Sequence, residues 1–175
     1  ERIDNSKCRV LICAGTGCLA SGSGEIYEKI KALIGENPDV EVHFGPEIAH
    51  GDGPMEGKKS GCHGFCEMGP LMRIEPLGVL YTKVKLEDCE EIFEKTIKNG
   101  VIVDRLIYKQ NGVEYPKQEE IPFYKKQTRL VLENCGRIDA EHIGEALAND
   151  GYQAFAKALF EMTPAEVIDV VLESN

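Results

Sequence analysis

The chain has 175 residues, enough for one ordinary domain or for a small domain and part of another. Hydrophobic residues make up 42% and charged residues 29%, a composition typical of soluble globular proteins, and no long apolar run predicts a transmembrane helix. The formal net charge of −10 disfavours nucleic acids and anionic membranes as partners, because an acidic surface repels phosphate groups.

The chain opens with a predicted strand, loop and helix. Residues 8–13 predict a strand whose successive side chains face opposite sides of a sheet. Residues 14–24 are expected to be a loop of small residues, and residues 25–34 carry the apolar stripe of a helix. We expect Ser23 to be the N-cap of this helix and Gly35 to end it.

The next elements complete an α/β pattern. Residues 40–44 alternate as a second strand, and residues 46–61 are expected to be a long glycine-rich loop. A hairpin of residues 71–74 and 79–84 follows, and then a helix over residues 86–98. The order β-α-β followed by β-β-α is the thioredoxin-like arrangement, and the right-handed crossover rule supports its first half.

The composition changes near residue 101. Residues 101–107 are apolar and predict one more strand, whereas residues 108–123 are polar and are expected to be a linker. Three predicted helices follow, over residues 139–149 with Asp139 as the cap, over residues 152–160, and from Thr163 onward. The sequence Thr-Pro-Ala-Glu at residues 163–166 predicts a capping box with proline at the first helical position.

Two close cysteine pairs stand out among the seven cysteines. The chain opens without a signal-peptide pattern, so we expect a cytoplasmic protein whose paired cysteines are metal ligands or redox groups. Cys13 and Cys18 stand in C-x4-C, and Cys62 and Cys66 in C-x3-C, both in glycine-rich loops beside predicted strand ends. Such pairs predict a metal site. Their spacing differs from that of plant-type ferredoxins and from the C-x2-C pairs of structural zinc.

Other candidate groups have structural interpretations. Cys8 alternates with apolar strand positions, and Cys89 lies on the inward apolar stripe of its predicted helix, so both are expected in the core. Cys135 is expected to be structural. His63 lies between two predicted ligands, but four cysteines complete the ligand count, so it is expected beside the site or at the surface. A small basic patch, expected to be a solvated face or a partner contact, consists of Lys125, Lys126 and Arg129.

The cysteine motifs carry a family resemblance. The segments CAGTGCLASG at residues 13–22 and GCHGFCEMGP at residues 61–70 resemble the thioredoxin-like [2Fe-2S] ferredoxin family, which includes the 24-kDa-type subunit of respiratory NADH dehydrogenase. The resemblance implies a thioredoxin-like ferredoxin domain, placed at residues 1–104. It also implies the ligands of a [2Fe-2S] cluster, which are Cys13, Cys18, Cys62 and Cys66.

A second resemblance begins further along. The segments FYKKQ at residues 123–127 and NCGRID at residues 134–139 resemble the part of the 51-kDa-type, NADH-oxidising subunit that precedes its flavin domain. This implies a linker at residues 105–122 and, at residues 123–175, a small mainly helical segment that begins a truncated flavin- and NADH-binding domain. It also implies the alternative for Cys135, which is a contact with the flavin domain. The fusion is similar to the NADH-linked subunit of multimeric, including electron-bifurcating, hydrogenases and of formate dehydrogenases.

These resemblances imply an N-terminal fragment of a larger subunit. Other iron–sulfur or flavin subunits of a multimeric redox complex are the expected partners, and a homodimer stays open. FMN and NADH are expected only in the intact parent, which resembles an NADH-dependent oxidoreductase. No catalytic residue is expected in the fragment.

The leading functional hypothesis is one-electron transfer through the cluster. One alternative is a structural four-cysteine zinc-binding interaction domain, which the x4 and x3 spacings disfavour. The second alternative is a thiol–disulfide oxidoreductase. The order of elements suggests it, but such enzymes normally use C-x-x-C, which this sequence lacks.

Overall fold

The computed structural model describes residues 8–37, 42–43, 55–139 and 141–174. These residues form two compact units that divide between His142 and Ile143. In this described part of the chain, no helix is both long and apolar enough to cross a membrane.

A mixed sheet organises the unit that ends at His142. Among the described residues its strands are β1 (Cys8–Cys13), β2 (Val42–His43), β3 (Met55–Ser60), β4 (Met72–Glu75) and β5 (Val79–Tyr81), in the order β2-β3-β1-β4-β5. The central strand β1 is parallel to β3 and antiparallel to β4, and β4 forms the predicted hairpin with β5. The predicted bounds of β1 are confirmed, as fits its nearly continuous apolar sequence.

The loop predicted at residues 14–24 is partly wrong, because it contains a short helix. This helix, α1 (Thr16–Ala20), is separated by Gly22 from α2 (Ser23–Gly35). Gly22 has a φ of 94° and is the N-cap of α2. Ser23 is therefore the first residue of the helix, buried, and not the predicted N-cap. Glycine takes this left-handed conformation without a side-chain clash, so it allows two helices to follow one another closely.

The strand β3 lies where the sequence predicted a loop at residues 46–61. It pairs with β1 along its whole length and with β2 on its other side. Its sequence, MEGKKS, lacks an apolar alternation, and backbone hydrogen bonds to two neighbours hold it instead. Of the predicted strand 40–44, Val42–His43 is confirmed, while the rest lies outside the described residues, as do residues 46–54 of the predicted loop.

The main core lies between the sheet and two helical stretches. The predicted helix at residues 86–98 is confirmed as consecutive 3-10, α and π turns, Leu86–Asp88, Cys89–Glu91 (α3) and Ile92–Ile97. This stretch and α2 contribute the following buried side chains to one cluster with β1: Ile26, Ile30, Ile34, Cys89, Ile92, Phe93 and Ile97. Burial of this apolar surface is the main term that stabilises the unit.

The segment after residue 100 is folded, which corrects two secondary-structure predictions. The strand predicted at residues 101–107 is instead a 3-10 turn, Asp104–Leu106, because only Ile107 bridges to the sheet. The polar segment predicted as a linker contains a hairpin of β6 (Tyr108–Gln110) and β7 (Val113–Tyr115). Asn111 and Gly112 form its turn with φ of 53° and 78°, as a tight hairpin requires.

The chain then remains attached to the sheet. The N–H of Leu80 donates to the carbonyl of Pro116 over 2.9 Å. Ile121 is fully buried in a second apolar cluster with Leu71 and Leu80, and α4 (Pro122–Lys125) begins directly after it. The compact unit that contains the sheet thus extends as far as His142, and the domain bounds expected at residues 104 and 122 stay predictions.

The remaining described residues are helical. They form α5 (Ile143–Ala148), α6 (Gln153–Glu161) and α7 (Pro164–Glu173). The helix predicted at residues 152–160 is confirmed as α6, and Thr163 caps α7 in the predicted capping box. The helix predicted from residue 139 begins only at Ile143, so Asp139 is not its cap. Asp139 instead bridges to Ser60 at the end of β3.

Candidate metal centre

The two cysteine loops meet at one edge of the sheet. The last residues of β1 and β3, Cys13 and Ser60, lie opposite one another in a parallel pair. The chain after β1 enters α1, which carries Cys18, and the chain after β3 carries Cys62 and Cys66. Because parallel strands end at the same edge, cysteines distant in the sequence are brought together there.

The four cysteines of the predicted site lie side by side. The Sγ atoms of Cys62 and Cys66 are 3.6 Å apart. Cys13 and Cys18 lie close enough to shift each other's pKa, and Cys62 also acts on the pKa of Cys13, so the two pairs adjoin. Among the described residues, no three His, Cys, Asp or Glu side chains converge to hold a single metal ion. The donor set is thus two adjoining sulfur pairs, and thiolate sulfur suits zinc and iron–sulfur clusters.

Backbone N–H groups point at these sulfur atoms. The N–H of Gly64 donates to the Sγ of Cys62 over 3.3 Å. The backbone of Gly15 and His63 lowers the pKa of Cys13, and the backbone of Leu71 acts to lower that of Cys18. Such bonds stabilise negative charge on sulfur, the form in which cysteine binds metals.

The mutual contact of Cys13 and Cys18 separates their acidities. The hydrogen bond from Cys18 lowers the pKa of the Cys13 thiol to about 6, against the opposing effect of burial. The same hydrogen bond, together with burial, raises the pKa of Cys18. Burial is the largest cause of the raised pKa of Cys62.

Three glycines leave space for the sulfur atoms. A Cβ on Gly15 would lie 3.0 Å from the Cβ of Cys62, and one on Gly17 would lie 3.6 Å from that of Cys66. A Cβ on Gly69 would lie 2.7 Å from the Sγ of Cys18, closer than van der Waals contact allows. The loops therefore approach the cysteines as closely as a four-thiolate metal group requires, and the residues present fit such a group.

Exposure is graded across the site. Cys13 and Cys18 are buried, Cys62 is half-buried and Cys66 is exposed. The site therefore opens to solvent on the side of Cys66.

His63 is buried beside the site. Of its two predicted places, beside the site or at the surface, the first is therefore the one observed. Its Nε2 lies 2.8 Å from the Oγ of Ser60, whose hydroxyl donates to the carbonyl of Ile12. Since that hydroxyl has one proton, Nε2–H is the donor to Ser60. Burial lowers the pKa of His63 to about 4, so the ring is neutral near pH 7.

The other cysteines lie outside the sulfur pairs. Cys89 is in the main core and Cys8 packs against it, as predicted, and burial raises the pKa of each to about 11. Cys135 is half-buried. Its Sγ lies 3.9 Å from the position of a Cβ on Gly61, next to the second cysteine loop.

Sequence reasoning missed the residues that cover that loop. Phe123 stacks on Phe65 with ring centroids 4.6 Å apart, and Tyr124 meets the same ring edge-on. Arg129, predicted to belong to a solvated basic face, donates instead to the carbonyls of His63 and Cys135. The sequence gives no pattern for the contacts with Phe65 and His63, because they join positions about 60 residues apart through the tertiary fold.

Known proteins resemble the first part of the chain. The sequence model of a family described as "Thioredoxin-like [2Fe-2S] ferredoxin" matches residues 1–97. A protein named "Ferredoxin, 2Fe-2S" from Clostridium pasteurianum is 35% identical over 106 residues, which cover 58% of this chain and 96% of that protein. One of the same name from Aquifex aeolicus is 48% identical over 90 residues, which cover 51% and 71% of the two chains.

Two further matches complete the comparison. A protein named "NADP-reducing hydrogenase subunit HndC" from Solidesulfovibrio fructosivorans is 52% identical over 51 residues, which cover 29% of this chain and 10% of that protein. The crystal structure of the thioredoxin-like [2Fe-2S] ferredoxin from Aquifex aeolicus superposes with a TM-score of 0.49 at 27% identity, over 60% of this chain and 99% of that one.

Proposed function

The chain belongs to the thioredoxin-like [2Fe-2S] ferredoxin family, and we propose that it transfers single electrons through a [2Fe-2S] cluster held by Cys13, Cys18, Cys62 and Cys66. The observation that carries the proposal is the meeting of these four thiols, from two loops, at one edge of the sheet. The ferredoxin relatives are named for a cluster of this kind. When bound, such a cluster supplies a one-electron redox couple.

The residues of the chain provide the surroundings that this function requires. The backbone N–H of Gly64 donates to the Sγ of Cys62. The backbone of Gly15, His63 and Leu71 favours the thiolates of Cys13 and Cys18, and all four groups would stabilise the charge that reduction adds. The apolar cluster that includes Leu71, Leu80 and Ile121 limits the access of water from the protein side. In this proposal the protein makes or breaks no bond of an organic substrate. Its part is to bind the cluster and to tune the reduction potential of the cluster.

The exposed side of the site is the proposed route for electrons. Cys66 is exposed, whereas Cys13 and Cys18 are buried, so a redox partner approaches most closely from the side of Cys66. The chain carries a net charge of −10, which favours partners that present a basic surface.

A larger redox complex is the proposed setting. The match to a hydrogenase subunit supports a chain that works within an NADH-linked subunit of a hydrogenase, formate dehydrogenase or NADH dehydrogenase complex. Other iron–sulfur or flavin subunits are the proposed partners, and residues 123–175 the proposed beginning of the flavin- and NADH-binding part. FMN and NADH then belong to the intact parent, and the proposed location is cytoplasmic.

The test is a visible absorption spectrum of anaerobically purified protein, with iron, sulfide and zinc assayed on the same sample. We expect charge-transfer bands with about two irons and two sulfides per chain. A colourless protein with one zinc, which stays colourless after reconstitution with iron and sulfide, would instead establish the structural zinc site.

Cysteine variants assign the ligands. We expect Cys62→Ser and Cys66→Ser to change or abolish the visible bands, because each removes one of the proposed ligands. Cys8→Ala and Cys89→Ala are matched controls, since both thiols lie in or against the main core. Unchanged bands in both serine variants would show that other residues hold the metal.

A further inference from the structure

A covering segment, residues 121–137, lies against the second cysteine loop, residues 61–66. The family match ends at residue 97, so this segment is additional to the ferredoxin family domain. Phe123 stacks on Phe65 at one end of the contact. At the other end, a Cβ on Gly136 would lie 3.0 Å from the ring of His63, and Gly136 has a φ of 80°. Both ends of the segment therefore fit closely around the loop.

Arg129 is the polar centre of this contact. Its Nη2 donates to the carbonyl of His63 over 2.5 Å, and its Nη1 to that of Cys135 over 3.4 Å. Its guanidinium also lies 5.5 Å from the centroid of the Tyr124 ring. The guanidinium is planar, and its N–H groups point in fixed directions. Because these three contacts hold it in place, it fixes the orientation of the carbonyl groups that it binds.

The carbonyl that Arg129 binds belongs to a peptide that also touches a proposed ligand. The peptide group between His63 and Gly64 carries the His63 carbonyl on one side and the Gly64 N–H on the other. That N–H donates to the Sγ of Cys62 over 3.3 Å. A cation at the carbonyl end polarises the peptide and strengthens the donor at the opposite end.

Gly64 permits this arrangement in two respects. Its φ of 81° aims the peptide as required, and a Cβ there would lie 2.7 Å from the Nη2 of Arg129. Another residue at position 64 would therefore be strained and would displace the guanidinium.

We propose that Arg129 is a positioning residue for the metal centre, which orients and polarises the His63–Gly64 peptide so that its N–H stabilises the sulfur of Cys62. The effect of Arg129 on the cluster rests on the proposed function, which places the cluster at these cysteines. Hydrogen bonds to sulfur and nearby positive charge favour the reduced, more negative state, so Arg129 raises the reduction potential.

The test is an EPR-monitored redox titration of the full chain with its cluster. Arg129→Gln and Arg129→Lys are compared with Lys126→Gln, which removes one charge from an exposed position of the same segment. Arg129→Gln is expected to make reduction about tenfold less favourable, a shift of about −59 mV for a one-electron couple. Arg129→Lys keeps the charge but loses the planar fork, and is expected to shift the potential in the same direction by a smaller amount.

Two results would overturn the proposal. If Arg129→Lys had the reduction potential of the unaltered chain, the charge of Arg129 alone would explain its effect. If Arg129→Gln and Lys126→Gln shifted the potential equally, the position of Arg129 at the His63 carbonyl would have no effect of its own. If Arg129→Gln fails to fold, the lysine variant decides.

Hydrogen exchange separates this proposal from the proposed function. On the full chain without a cluster, both Arg129 variants are expected to speed exchange at residues 61–66, whereas Lys126→Gln is not. If the unaltered chain took up no iron and sulfide, the relay function would fail while this measurement still tested the contact. Unchanged exchange in both Arg129 variants would refute the positioning role.

Discussion

A Cβ on Gly69 would lie 2.7 Å from the Sγ of Cys18. The methyl group of Gly69→Ala must therefore displace the Cys18 side chain, since the backbone carbonyl of Cys66 lies only 3.3 Å from the same Cβ position. We expect this variant to fold but to bind iron and sulfide at least about tenfold more weakly, as measured by reconstitution and metal analysis.

Gly35→Ala is the control for that variant. No atom lies within 4 Å of a Cβ at this position, at the end of α2, so cluster content should be unchanged. Equal cluster content in Gly69→Ala and the unaltered chain would show that Cys18 is not held in place by the absence of a side chain at residue 69.

The hydroxyl of Tyr81 joins two parts of the main core, and its removal should destabilise the protein. The Tyr81 hydroxyl lies 2.6 Å from the Oγ1 of Thr96, which itself donates to the carbonyl of Val101. It also accepts from the N–H of Val103 over 2.9 Å. Tyr81→Phe leaves that buried N–H without its acceptor, so we expect the free energy of unfolding to fall by about 1–3 kcal/mol.

Denaturant titration measures this change. Tyr115→Phe, on the hairpin strand β7, alters a half-buried tyrosine outside this network and serves as the control. A loss of stability in Tyr115→Phe as large as that in Tyr81→Phe would show that the hydrogen bonds of the Tyr81 hydroxyl do not stabilise the core.

Ile121 holds the start of the covering segment to the sheet. It is fully buried, whereas Leu130 in the same segment is 81% exposed. Ile121→Ala should lower the free energy of unfolding by about 2–5 kcal/mol through the cavity that it leaves. Leu130→Ala should change it by less than about 0.5 kcal/mol. Thermal unfolding of the two variants checks both values, and similar losses would mean that the segment is not anchored at Ile121.

Thiol reactivity should distinguish the cysteines in the absence of metal. Cys66 is exposed, whereas Cys89 is buried and has a pKa raised to about 11 by that burial. Near pH 8 only about a thousandth of Cys89 is thiolate, the reactive form, so iodoacetamide should modify Cys66 first. The reaction of Cys89 should accelerate about tenfold per pH unit up to its pKa. Mass spectrometry of the digested chain follows each site, and equal rates at the two cysteines would contradict the prediction.

The sequence predicted best those elements whose side chains carry the pattern themselves. The bounds of β1 are as predicted, and α2 and α7 lie where their apolar stripe and capping box indicated. Spacing and neighbouring glycines indicated a metal site at the four cysteines, and the family resemblance implied that they are cluster ligands. In the structure the two pairs lie next to each other.

The elements that were missed depend on partners distant in the sequence. The strand β3 is charged and glycine-containing, and it is a strand because β1 and β2 pair with its backbone. The hairpin around Asn111 has a clear turn signal, but its short polar strands gave no reason to expect attachment to the sheet. The place of Arg129 depends on a tertiary contact that no local pattern reports.

The parallel pairing of β1 with β3 has a further consequence for chain entropy. It places two loops at one edge although Cys18 and Cys62 stand about 44 residues apart, so a group bound to both loops would act as a cross-link across a long segment. By the loop-closure relation used for disulfides, a cross-link of that span removes about 4 kcal/mol of conformational freedom from the unfolded chain. Loss of the group would then weaken the fold as a whole as well as ending electron transfer.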